Sequence, residues 1–207
     1  AKTVIERILR EKEAGIRTGT EAMLGVLREL QGQVLGELGQ AAIGSWDAYS
    51  LKKMLNALER QTAAFESRAK KEASGMLDGM WEAGKELVYS PLEAFGIYTG
   101  FGLSTSSLNV LKDFAFGKIS GLSDDAYYRI KSELTLGVLG GKTPQEVAKA
   151  IGENLTKPSI FSSIGARAEA ITKTEMGRVF SKAAQERMEE AAEYVEGLEK
   201  MWRQAGH

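Results

Sequence analysis

The chain has 207 residues, 43% of them hydrophobic and 27% charged, with 27 Lys and Arg set against 28 Asp and Glu. That is apolar material for one large domain or two small ones, and the near-zero net charge excludes a generally basic, nucleic-acid-coating protein. With no cysteine and a single histidine, His207, disulfides, thiolate metal sites and a cysteine nucleophile are excluded, and a Ser-His-Asp triad would have to use a terminal residue.

The first segment, Lys2 to about Ile43, keeps a helical period: Ile5, Ile8, Leu9, Ile16, Met23, Leu27, Leu30, Val34 and Leu38 step mostly by three and four. Its opening "AKTVIERILREKEAG" carries charges throughout and no apolar signal region, so it reads as part of a soluble protein without an export signal. No apolar run reaches the roughly 18 residues of a membrane span. "GSWDAYS", Gly44 to Ser50, supplies a glycine stop and cap-type residues. A second stripe follows through Leu51, Leu55, Leu58, Thr62, Phe65, Ala69, Ala73, Met76, Met80, Gly84 and Leu87. Two helices of about 40 residues, roughly 60 Å each, joined by a short turn predict an antiparallel hairpin. Gly15 and Gly19 read as helix irregularity. Gly32 and Gly36 fit that reading and close helix approach equally.

Ser90-Pro91 is expected to end the second helix. The aromatic and glycine-rich stretch after it reads as a connector holding one short helix around Leu108, Leu111, Phe114 and Ala115. "SDDAYYRIKSELTLGVLGG" reads as a separate helix, capped by Ser123 or Asp124 and stopped by Gly140-Gly141. "KTPQEVAKAIGENL" is the clearest local signal: Thr143 as N-cap, Pro144 at the first helical position and Glu146 three residues on form a capping box, with Val147, Ile151 and Leu155 on the buried face. A last helix is expected from about Ser163 to Tyr194. The end, with Leu198, Met201 and Trp202, fits either a helix or the start of a strand. The whole is all-α: a long hairpin over 1–90, a connector over 91–122 and a smaller helical domain over 123–207 that reads as cut short at its C-terminal end.

Chemical motifs are sparse. Asp124-Asp125 and Glu189-Glu190 are adjacent pairs that cannot face each other on a helix. "LGVLGGKT" misses the phosphate-loop spacing by one residue and follows a helix where that loop needs a strand. Tyr127, Tyr128 and Arg129 form the best aromatic–basic cluster; the expected arrangement is one buried tyrosine and one at the surface. No catalytic, metal-binding or cofactor-binding residue is assigned.

"RIKSELTLGVLGGKTPQEVAKAIGENL", then "ARAEAITKTEMGRVFSKAAQERM", then "KMWRQAGH" resemble the phage head morphogenesis family, the Mu F-like minor capsid proteins. The likeness covers residues 129–207. Gly141-Lys142-Thr143 stands for the family's G-x-[ST] turn and Glu146-Val147-Ala148 for the residues after it. Arg167-Ala168 and Lys173-Thr174-Glu175 stand for the RA and Arg-Thr-Glu positions, with lysine in place of arginine, and Trp202 for the tryptophan segment. The resemblance implies a structural, non-enzymatic protein of the virion, made in the host cytoplasm and placed inside the capsid at the portal vertex. It implies the portal protein as partner, with the major capsid protein or scaffold and packaged double-stranded DNA as further contacts, and no membrane. The structural-motif candidates are then Gly141, Thr143, Glu146, Arg167, Lys173, Thr174, Glu175, Arg178 and Trp202.

Two questions stay open on the last helix. Glu175 is either half of a surface pair with Arg178 or a nearby base or, together with Thr174, part of a polar network tying the last helix to the Gly141–Thr143 turn or to a partner. Arg167, Lys173, Arg178, Lys182 and Arg187 either contact DNA, the alternative to the capsid-docking role, or form a solvated face balanced by Glu169, Glu175 and Glu186.

Overall fold

The computed structural model describes residues 2–40, 48–97, 105–153, 155 and 157–195, and the fold is all-α. Five helices follow one another: α1 (Lys2–Gln40), α2 (Ala48–Glu93), α3 (Ser106–Leu139), α4 (Pro144–Ile151) and α5 (Ile160–Ala192). Among the described residues there is no strand; the expected extended segment and Trp202 lie outside them.

The long hairpin is present. Glu29 pairs with Arg68, Gly19 lies against Met76 and Gly15 against Met80, so numbers rise along α1 as they fall along α2. α3 runs antiparallel to α2, with Lys112 bonded to Asp78 and the Ser123 hydroxyl donating to the Thr62 carbonyl. α5 runs parallel to α2: Gly84 meets Phe180, and the Tyr89 ring lies under Arg187. α2 is therefore the central element, touched by α1, α3 and α5.

One buried cluster draws on all five helices, from Leu27 and Leu30 through Leu58, Ile130 and Ile151 to Phe161. A second collects Ile8, Leu77, Trp81, Val179 and Phe180 at the other end, and Met76 packs against both. The stretches read as 1–90, 91–122 and 123–207 thus share a core. The Gln31 side chain, buried on α1, donates to the Gly152 carbonyl at the end of α4 at 2.7 Å, which satisfies two polar groups inside that core.

Three local expectations are corrected. The connector helix and the helix starting near Ser123 are one helix, α3. Ser123 is 3% exposed and its hydroxyl serves Thr62 of α2, so its cap-forming chemistry is spent on a tertiary bond. Pro91 does not stop α2, which continues to Glu93; the proline sits in the last turn, where a lost N–H bond disturbs little of the helix. The Gly15–Gly19 pair is a packing notch: a Cβ on Gly15 would lie 2.5 Å from the Met80 methyl and one on Gly19 would lie 2.7 Å from the Met176 sulfur, while Gly32 and Gly36 face open space.

A polar tie joins α2 to α3. Glu66 accepts from the Ser120 hydroxyl at 2.7 Å and from Lys70 at 2.5 Å, and these bonds, Lys70 first, hold its carboxyl below the usual glutamate range. The unfolded chain therefore takes up the proton first on acidification. The tie's contribution is complete above the ordinary carboxylate range and is lost as pH falls through the lowered folded value. Glu66→Gln is expected to flatten the acid limb of a stability-versus-pH curve measured by urea unfolding; an unchanged acid limb contradicts this assignment.

Candidate functional site

The sequence candidates fall in two places. The first is the turn between α3 and α4. Gly140 and Gly141 close α3, Gly141 in the left-handed region at φ 68°, and the Lys142 amide returns to the Gly137 carbonyl at 2.9 Å. This is the helix stop in which a glycine supplies positive φ and orphan carbonyls regain donors. The capping box then starts α4: the Thr143 hydroxyl accepts from the Glu146 amide, and the Glu146 carboxylate accepts from the Thr143 amide at 2.7 Å, with Pro144 at the first helical position. Those bonds from Thr143 lower the Glu146 carboxyl below the usual range. Lys142 folds back onto Glu133 at 2.8 Å. The turn is thus a self-satisfied helix junction with its lysine occupied, which is a structural role.

The second place is the seam where α3 and α5 lie antiparallel. α5 starts from a capping box the sequence reading passed over: the Ser159 hydroxyl accepts from the Ser162 amide and Ser162 returns the bond at 2.8 Å. Ile164, Ala168, Thr172, Met176, Val179 and Ala183 then recur at helical spacing and are buried. Glu175 lies on this face and is itself 3% exposed. Its two oxygens are each taken, one by Lys118 of α3 at 2.7 Å and the other by Arg178 at 2.7 Å. Both cations lie over the Phe114 ring, at 4.7 and 4.9 Å from its centroid. A small apolar void of about 20 Å³, lined by Thr172, Ile119 and methionines, lies beside the carboxylate.

The two readings of Glu175 are therefore both partly met. The Arg178 pair exists, and the carboxylate is buried in a network. That network reaches α3 and not the Gly141–Thr143 turn. Lys118 carried no sequence signal of its own; the clue available was Glu175 interrupting an apolar stripe. Thr174, next to it, is exposed.

Farther along the seam, Asp125 faces Arg167 at 3.4 Å and Arg129 at 3.7 Å, and Arg129 donates to the Ser163 hydroxyl at 3.0 Å. Tyr127 is half-buried against the core and Tyr128 is 64% exposed, their rings edge to face at 5.3 Å. On the rest of α5, Lys173 pairs with Glu169, Lys182 with Glu186 at 3.2 Å and Arg187 with Glu190 at 2.5 Å. Lys173, Lys182 and Arg187 thus each meet a carboxylate of their own, whereas Arg167 and Arg178 share theirs with Arg129 and Lys118 of α3.

Among the described residues no group of three His, Asp or Glu side chains could hold a metal ion, and no helix is long and apolar enough to cross a membrane. Comparison with protein families, with curated proteins and with solved structures finds no match to this chain.

Proposed function

We propose that this chain is a structural minor capsid protein of a tailed phage, seated inside the head at the portal vertex, where it assists head assembly, DNA packaging or ejection. The observation that carries the reading is the order and spacing of the Gly141-Lys142-Thr143 turn, Glu146-Val147-Ala148, Arg167-Ala168 and Lys173-Thr174-Glu175, which follow the pattern of the head morphogenesis family. In support, Thr143 and Glu146 form a capped helix junction and Glu175 is a buried carboxylate that fastens α5 to α3. Val110, Leu136 and Leu139 add exposed apolar side chains on α3 that a protein partner would cover.

The test is reconstitution with the cognate portal ring. The expected result is co-sedimentation of chain and ring together with a higher melting temperature for the bound chain, because a partner that binds only the folded state stabilises it. A chain that sediments alone and melts unchanged in the presence of the ring overturns the reading.

A further inference from the structure

We propose that the α3–α5 seam binds a single strand of nucleic acid, its phosphates along Lys118, Arg178, Arg167 and Arg129 and an unpaired base on Tyr128. The proposal rests on the seam's geometry and is independent of the capsid reading.

The first ground is charge. The seam's ion pairs set four cations against two carboxylates, Glu175 and Asp125, and the exposed Asp124 beside them is a third, leaving an excess of one positive charge. Glu175 and Asp125 are each shared by one cation from α3 and one from α5, so the strip carries this local excess in a chain of net charge −1. On the remainder of α5 the pairing is one to one.

The second ground is availability. Glu175 is buried beneath its partners, so Lys118 and Arg178, 35% and 39% exposed, turn their remaining donors outward. The Arg167 and Arg129 contacts to Asp125, at 3.4 and 3.7 Å, are longer than the roughly 2.7–2.9 Å of a charge-assisted bond. Both guanidiniums keep donors for a phosphate, and Ser163, which accepts from Arg129, has a hydroxyl proton to give.

The third ground is spacing. From Lys118 to Arg129 the strip covers roughly 16 Å of helix at 1.5 Å per residue, long enough for several phosphates in succession. Between the two cation clusters lies Gly121, where a Cβ would meet only the Arg167 guanidinium at 4.0 Å. The strip is therefore not blocked by side chains at its middle, where the Thr174 hydroxyl is also exposed.

The aromatic decides the class of ligand. Tyr128 is 64% exposed and its neighbour Tyr127 meets it edge to face, which leaves at least one ring face open. A base can stack there only if it is unpaired. A duplex would use the cations and leave the ring idle, and the chain lacks the broad positive field that holds duplex DNA without base contacts.

The experiment is fluorescence anisotropy of the full chain with a labelled oligo-dT, a labelled duplex of equal length, and poly-glutamate as competitor. Binding is expected to oligo-dT, with a log–log salt slope between about −1.4 and −2.8, the value for two to four phosphates on a single strand. The Arg129→Glu/Arg167→Glu double variant should abolish it. Tyr128→Ala, at an exposed position that leaves folding intact, should weaken it roughly five- to hundredfold, the loss of one stacked base. Lys173→Glu, off the seam on the same helix, should bind as the parent does. Equal affinity for duplex, equally effective displacement by poly-glutamate, or full binding by either seam variant overturns the proposal.

Discussion

Gly84→Ala is expected to destabilise the chain by about 3 kcal/mol, at the upper end of what overpacking costs. A Cβ at this position would lie 2.3 Å from the Phe180 carbonyl oxygen and 2.8 Å from the Ala183 Cβ. Neither is the end of a flexible side chain. Relief requires α2 and α5 to separate, and Trp81, Val179 and Phe180 are buried in the cluster beside that contact. In a chain of this size the loss amounts to a fall of about 6–12 °C in melting temperature. Gly117→Ala is the control: it too lies inside a helix, but its Cβ would meet nothing within 4 Å. It should stabilise by up to about 1 kcal/mol through helix propensity alone. Thermal unfolding of the two variants separates the cases, and equal shifts would remove the close-contact account.

Glu175→Ala is expected to cost about 2–3 kcal/mol. The carboxylate is 4% exposed in its side chain and satisfies Lys118 and Arg178 together. Its removal leaves two cations against an apolar wall with no acceptor. A fully buried pair broken in this way costs about 3–5 kcal/mol; Lys118 and Arg178 are each more than a third open to water, which lowers the figure. The Thr174→Ala change, one residue away on the exposed side, should fall within about 0.5 kcal/mol. Urea unfolding of both variants checks the pair. A Glu175→Ala loss of only a few tenths would mean that the two cations find water as readily as they found the carboxylate.

The parts of this fold that were legible in the sequence are those set by short-range chemistry. Thr143, Pro144 and Glu146 lie within four positions and satisfy one another, so the start of α4 is written locally. The α1–α2 hairpin was legible because its stripes repeat over many turns. Ser123-Asp124-Asp125 carries the same kind of cap signal and misleads, because Thr62, on another helix, takes the Ser123 hydroxyl. The glycines show the same limit. Gly15–Gly19 and Gly32–Gly36 have identical spacing, and only the first pair meets another helix. Nothing along the chain tells which notch is filled. The seam was half legible: Arg167, Glu175 and Arg178 stood out on α5, whereas Lys118 and Asp125 enter only through the antiparallel register of α3 against α5.

The bond from Gln31 to the Gly152 carbonyl has a kinetic consequence. Its two ends are 121 positions apart, so it cannot form until four helices have left the ribosome. The α1–α2 hairpin can pair much earlier, as soon as α2 has followed α1. During that interval the Gln31 amide, on the very face that α1 buries, must stay hydrated. The nascent hairpin therefore has a wet point on its apolar side, and arrival of the α4 end is the event that dries it. A contact across 121 positions closes more slowly than the local pairing of the hairpin. In this chain a single hydrogen bond joins the first helix to the end of the fourth, before α5 closes over both cores through still longer contacts such as Gly19 on Met176.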